Sequence, residues 1–253
     1  MINQQTWIDL AKMRSDPNNR TRFSWWFPRL PSHPDIFVPK TKIIRRHQNH
    51  NLICLLDNKK PPDYDSFCNW IIKAGNEVGW PMFLRTDFLS DKHHWVKSCS
   101  VKNPQQVRSS IFKLVETSAM ADLIGFPTDC WVVREQILTC PAFFAFYGHM
   151  PIVKERRYFV NDDQVICHHP YWPPEAFYNS PVSVGRWKEL LDEINIETDS
   201  EIELLTKLSS LVGATLGGKW SVDWMWSEHD QRWFLIDMGE TKHSYHWPGC
   251  AKE

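Results

Sequence analysis

Neither glycine-rich phosphate loop, G-x-G-x-x-G or G-x-x-x-x-G-K-[ST], occurs in these 253 residues, which hold only 10 glycines. Their absence argues against a doubly wound dinucleotide fold and against a P-loop. No C-x-x-C pair occurs either. The seven cysteines (54, 68, 99, 130, 140, 167 and 250) are scattered and odd in number. That pattern fits a reducing compartment, with most thiols buried as small hydrophobes. No run approaches the roughly 18 uncharged apolar residues of a membrane helix. The opening Met1-Ile2-Asn3-Gln4-Gln5 lacks a basic stretch followed by an apolar one, so no secretory signal is expected. Together these absences lead to the expectation of a cytoplasmic protein with no membrane partner. Charge of one sign is also missing. The formal net charge is -1, so no global field favours nucleic acid. There is no internal repeat and no low-complexity tract.

What the chain does have is an ordinary globular apolar content of 42% and 14 tryptophans. Large aromatics dominate burial, so packing accounts for most of these tryptophans, and a stacking surface for a base or sugar is the competing reading. Spacing predicts helices over 4–14, 63–78, 103–124, 184–195 and 199–213. It predicts strands at 41–44, 81–85, 95–98 and 131–137, and a strand-like or partly buried run at 52–56. Residues 27–39, with four prolines, form an extended connection. Antiparallel pairs are expected at 151–160 with 164–168, around Asn161-Asp162-Asp163, and at 219–226 with 232–238. Mixed elements with late hairpins make the fold class α+β.

The second hairpin carries Asp223 on one strand and Asp237 at the end of the other, with Glu240 three residues on. An acid after four apolar strand residues is costly if buried alone. Two hairpin strands bring such acids together, and hard oxygen ligands suit Mg²⁺. Pairing with Lys219, Arg232 or Lys242 is the competing explanation. In Lys154-Glu155-Arg156-Arg157-Tyr158, strand alternation places Glu155 and Arg157 on one face. That pair suits phosphate oxygens, or else is a solvated strand end. Arg85 ends an apolar strand and is followed by a polar loop carrying Lys92. Arg134, Glu135, Gln136 and Ile137 form an abrupt charged patch on a buried strand, whose backbone suits an adenine edge. His243 and His246 with Cys250 have loose zinc spacing but lack a nearby partner pair.

In order along the chain, FLRTDFLSDKHHW, VVREQI, ERRYFV and WSVDW…WFLIDMGE resemble the ATP-grasp superfamily. The resemblance is nearest to the cell division cycle protein 123 family and to phage and bacterial proteins in which arginine replaces the second phosphate-contacting lysine. It spans about residues 81–240. It implies two α+β subdomains clasping ATP, over an ATP-grasp domain at 79–253 preceded by an N-terminal region at 1–78. Arg85, Lys92 and Arg134 would contact phosphates, and Glu135, Gln136 and Ile137 would form the adenine hinge. Arg157, oriented by Glu155, would act with Lys92 on the transferring phosphoryl group. Asp223 and Asp237 would bind Mg²⁺, with Glu240 as third ligand, because Gly239 stands where that family commonly has asparagine. The activity implied is joining a small-molecule or peptide carboxylate to an amine at the expense of ATP. The same family also includes ATP-binding assembly factors for a translation initiation factor. A protein partner docking on the tryptophan-rich segment 23–40 is therefore the alternative expectation.

Overall fold

Apolar and β-branched residues in short runs, separated by two well-patterned helices, build the first half of the chain. The computed structural model describes residues 4–46, 52–121 and 125–250. The chain divides into two compact units. One comprises residues 1–25 and 40–136, the other residues 26–39 and 137–253.

The first unit begins with helix α1 (Gln4–Ser15), and the short helix α2 (Phe23–Trp26) runs up to its boundary. Strand β1 (Thr41–Arg45), helix α3 (Tyr64–Val78), strands β2 (Met82–Thr86) and β3 (Ser100–Val101), helix α4 (Val107–Met120) and strand β4 (Cys130–Glu135) follow. Their sheet is antiparallel, in the order β1-β4-β2-β3. Phe67, Ile71, Ala74 and Val78 recur at helical spacing on α3 and are buried, as are Ile111, Leu114 and Val115 on α4. They close over Met82, Leu84, Trp131 and Val133, on one face of the sheet. Phe67 meets Trp131 edge to face at 5.4 Å. Each such fully buried side chain contributes about 1.5–3 kcal/mol. The boundary expected after residue 78 falls inside this unit, where α3 and β2 share one core.

In the second unit a two-stranded ribbon, β5 (Phe143–Ala145) and β6 (Met150–Ile152), flanks the short helix α5 (Phe146–His149). Strands β7 (Glu155–Asn161) and β8 (Gln164–Pro170), helices α6 (Trp187–Asn195) and α7 (Asp199–Leu216), and strands β9 (Lys219–Ser227) and β10 (Arg232–Glu240) complete it. The main sheet is antiparallel, in the order β10-β9-β7-β8. Tyr158, Val160, Trp220, Val222 and Trp224 are buried on one face. Helix α7 covers that face, with Trp224 Nε1 donating to Ser209 Oγ at 2.9 Å. The charged strand end at Arg156 is satisfied on this side. Arg156 Nε pairs with Glu201, and its other nitrogens donate to the carbonyls of Ile194 (2.9 Å) and Ile196 (2.7 Å).

Three local expectations are corrected. Residues 52–57 form a 3-10 helix rather than a strand. Residues 95–98 are turn, and the strand lies at 100–101. The connection at 27–39 opens with a 3-10 turn, Phe27–Arg29, and holds one parallel bridge, Phe37 to Phe234. The end of the helix expected to reach residue 124 lies outside the described residues. Burial accounts for Trp26, Trp131, Trp172, Trp220, Trp224 and Trp233. No helix among the described residues is long and apolar enough to cross a membrane.

Candidate functional site

The face of the second unit's sheet opposite α7 carries a row of chemistry-bearing residues. Antiparallel pairing sets Asp237 opposite Asp223, Asp223 opposite Arg157, and Arg157 opposite His169. One residue from each of the four strands therefore contributes to a single line. A bulge makes this possible. Leu235 opposes Trp224, and the next pair is Asp237 with Asp223. With regular pairing and no bulge, Ile236 would stand opposite Asp223. Bulges of this kind re-aim side chains next to functional sites.

Arg157 forks onto Asp223, Nε to Oδ1 and Nη2 to Oδ2, each at 2.8 Å. Its guanidinium also lies 4.5 Å from the centre of the Tyr171 ring. Burial disfavours the charged guanidinium, but the charge and hydrogen bonds of Asp223, aided by Tyr171 and Asp237, outweigh it, so the net shift is upward. Arg157 is thus a permanent cation with an oriented planar fork, the form suited to phosphate oxygens. The orienting carboxylate is Asp223, the residue expected only as a metal ligand. Glu155 is buried, and its Oε1 accepts from Trp172 Nε1 at 3.0 Å.

The cross-strand acids fit a hard cation. Two carboxylates with phosphate oxygens and water make up a common Mg²⁺ shell, and a carboxylate held by arginine keeps lone pairs for a metal. Asp237 Oδ1 accepts from Met238 N at 3.0 Å. Glu240 does not join them. Strand alternation sets it on the side opposite Gly239 and Asp237, across from Trp220. Its carboxylate pairs with Lys242 at 3.0 Å. Glu240 as third metal ligand is therefore corrected.

In the sequence His169 is one of an adjacent pair with His168, and strand neighbours that point to opposite faces rarely chelate one metal together. The His169 ring is buried, Nδ1 lies 2.7 Å from the Pro170 carbonyl oxygen, and Nε2 has no hydrogen-bond partner. Burial lowers its pKa below the ordinary histidine value. A neutral ring with Nδ1–H donating to the carbonyl turns a lone pair at Nε2 toward its surroundings. The signal in the sequence was its place two residues along the strand from Cys167, which only the register to Arg157 made meaningful.

The segment after β10 lies across the adjacent row of the same face, Gly239, Ser221, Phe159 and Cys167. Ser244 Oγ meets Ser221 Oγ at 2.6 Å, His246 stacks on Phe159 at 3.6 Å, and Trp247 stacks on His169 at 5.6 Å. Cys250 is joined to Cys167 by a disulfide across 83 residues. The expectation of a reducing compartment, with most thiols buried, did not include this bond; Cys54, Cys68, Cys99, Cys130 and Cys140 are free.

In the first unit, Arg85 and Arg134 are buried on the sheet face opposite the hydrophobic core. Register sets Phe83 opposite Arg134 and Arg85 opposite Val132, so the two cations are diagonal neighbours. Both stand over the Phe23 ring, at 5.2 and 5.0 Å. Arg85 Nε donates to Thr86 O and Arg134 Nε to Thr41 Oγ1, each at 3.2 Å. Asp87 in the adjoining loop is fully buried, accepting from Arg22 Nε at 2.6 Å and Ser24 N at 2.7 Å. Lys92 opens a 3-10 turn, Lys92–His94. Burial, then the Lys92 charge, lowers the pKa of His93. Glu135 Oε2 accepts from Lys40 N at 3.2 Å, and Gln136 Oε1 accepts from Ser100 Oγ at 3.0 Å. Ile137 is the first residue of the second unit after this strand.

No protein-family model and no curated protein sequence matches the chain. Solved structures do. C-terminally truncated Cdc123 from Schizosaccharomyces pombe aligns at 15% identity over 87% of this chain and 82% of its own, with a TM-score of 0.55. Cdc123 from the same organism, in a second structure, aligns at 15% identity over 95% of this chain and 86% of its own, with a TM-score of 0.51. The ATP-grasp ligase PsnB, complexed with a minimal precursor, aligns at 12% identity over 91% of this chain and 55% of its own, with a TM-score of 0.46. The chain thus has an α+β fold. It shares that fold with Cdc123.

Proposed function

We propose that this protein binds Mg²⁺-ATP and uses it to activate a carboxylate for attack by an amine. The observation that carries the reading is the row of Asp237, Asp223 and Arg157, which combines an acid pair with an oriented, permanently charged guanidinium. In this reading Asp223 and Asp237 hold the metal, which supplies positive charge to the nucleotide phosphates. Arg157 takes the γ-phosphate oxygens. Arg85 and Arg134 offer the first unit's cations to phosphate, Lys92 adds a loop cation, and the Glu135–Ile137 backbone takes adenine. The carboxylate attacks the γ-phosphorus and ADP leaves. The amine then attacks the acyl phosphate, giving an amide and inorganic phosphate. Positioning and charge neutralisation are the means of catalysis.

The loss of Glu240 from the acid group favours a second reading, in which ATP binds without turnover and the chain serves a protein partner. In the segment expected to dock it, Phe23 and Trp26 are buried, while Pro28, Arg29, Ser32, Pro34 and Asp35 are exposed. Calorimetry of Mg²⁺-ATP with wild type and Asp237→Ala tests the binding. The wild type should bind and the variant should lose the Mg²⁺-dependent part. Absence of nucleotide binding in wild type overturns the proposal. Given binding, carboxylate- and amine-dependent release of ADP and phosphate favours ligation, and tight ATP without release favours the assembly role.

A further inference from the structure

Cys167, His246 and Cys250 are the one group of three metal-ligating side chains, among the described residues, whose donor atoms all lie within 4.8 Å of one another. We propose that in the reduced protein these residues form a binding site for a soft, zinc-type cation, which fastens the segment 241–250 onto the sheet. This proposal stands apart from the nucleotide reading.

The donor set is the first argument. Two thiolates and one imidazole are ligands that zinc selects over Mg²⁺ or Ca²⁺. The two cysteines come from β8 and from the segment after β10, 83 residues apart. The partner for the His246 and Cys250 spacing therefore comes from the fold, and the linear sequence could not show it.

Geometry is the second argument. Cys167 Sγ lies 3.9 Å from His246 Nδ1. A tetrahedral centre with Zn–S of about 2.3 Å and Zn–N of about 2.0 Å spans roughly 3.5 Å from sulfur to nitrogen. His246 is also held in place, by its 3.6 Å stack on Phe159.

His169 is the third argument. It sits two residues from Cys167 on β8 and hence on the same strand face. Its ring packs against Phe159 and Trp247, which flank His246 in space or in sequence. With Nδ1 at a backbone carbonyl and Nε2 buried and unpartnered, it is a neutral imidazole packed beside the cluster without being one of its three donors. Water completes the shell, since only three donors are gathered.

The chemistry balances. A phosphine or dithiol reductant supplies two electrons, two protons are taken up, and the disulfide becomes two thiols. Binding Zn²⁺ then releases two protons and leaves two thiolates.

The test uses the full chain reduced with a phosphine, loaded with Zn²⁺ or Co²⁺, desalted, and assayed by elemental analysis and absorbance. Wild type should retain one equivalent of zinc, and the cobalt form should show thiolate-to-cobalt charge-transfer bands. Cys250→Ser should abolish both. His246→Gln, which leaves both cysteines able to bond, should weaken zinc binding by at least about 10-fold in a chelator competition. Cys140→Ser, at an exposed free cysteine, should change nothing. Chelation of the reduced wild type should expose the segment to protease, and zinc should protect it. The proposal is overturned if reduced, folded wild type retains no metal, or if wild type and His246→Gln hold zinc equally.

Discussion

In the proposed site Asp223 has two tasks, and its substitution should separate from that of Asp237 in a measurable way. Asp223→Asn leaves the Arg157 guanidinium, 13% exposed, without its charged partner. Breaking a buried pair from one side costs about 3–5 kcal/mol, so a loss near the low end is expected in urea denaturation. Asp237→Ala should cost under about 1 kcal/mol while removing Mg²⁺-dependent ATP binding. Equal stability losses for the two would contradict the assignment of Asp223 as the orienting partner. His169 and His93 predict a pH response. Both have folded pKa values lowered from 6.5 by burial. The unfolded chain therefore takes up protons first as pH falls, so stability is fully present above about pH 6.5 and declines below it, toward the depressed folded values. Melting temperature followed from about pH 7.5 to about pH 5.5 should fall less for His169→Gln than for wild type. An unchanged slope would mean that this ring does not titrate with unfolding.

Elements explain what was legible in the sequence. The hairpins around Asp162 and around Glu228-His229-Asp230 stand out because apolar strands flank turn residues. The acids and Arg157 were visible as costly residues on apolar strands. The bulge at Ile236 and the lateral pairing of β7 with β9 were not, because residues 66 apart share no local pattern. The run 52–56 is strand-like in the sequence because its five apolar residues fit either a strand or a helical turn, and the structure makes Leu52–Asp57 a 3-10 helix. Glu240 was misplaced for the same kind of reason, since spacing of three says nothing about which strand face it occupies. The seating of α7 was equally invisible. A Cβ at Gly213 would lie 2.1 Å from the Asp162 carbonyl oxygen and 2.9 Å from Val160 Cγ2. Gly213→Ala must therefore push α7 off β7. A loss of about 1–3 kcal/mol is expected, and an unaltered urea midpoint would show that the helix is not held so closely.

Across the whole molecule, the chain crosses between its two compact units after residues 25, 39 and 136. A cut at 78/79 separates α3 from β2, β3, α4 and β4, which share its core. The fragment 79–253 should therefore fail to fold cooperatively, with weak near-ultraviolet circular dichroism and strong dye binding. A sharp unfolding transition from that fragment would instead restore the boundary at 78.

Trp247 gives the strap over the sheet an optical signature. Its indole stacks on the His169 imidazole and stands three residues before Cys250, and a neighbouring imidazolium, thiol or disulfide quenches indole emission. The difference in emission between wild type and Trp247→Phe subtracts the other 13 tryptophans of the 14. Lifting the strap should then register as a change in brightness and lifetime, so the protein carries its own fluorescent gauge for whether that segment is fastened.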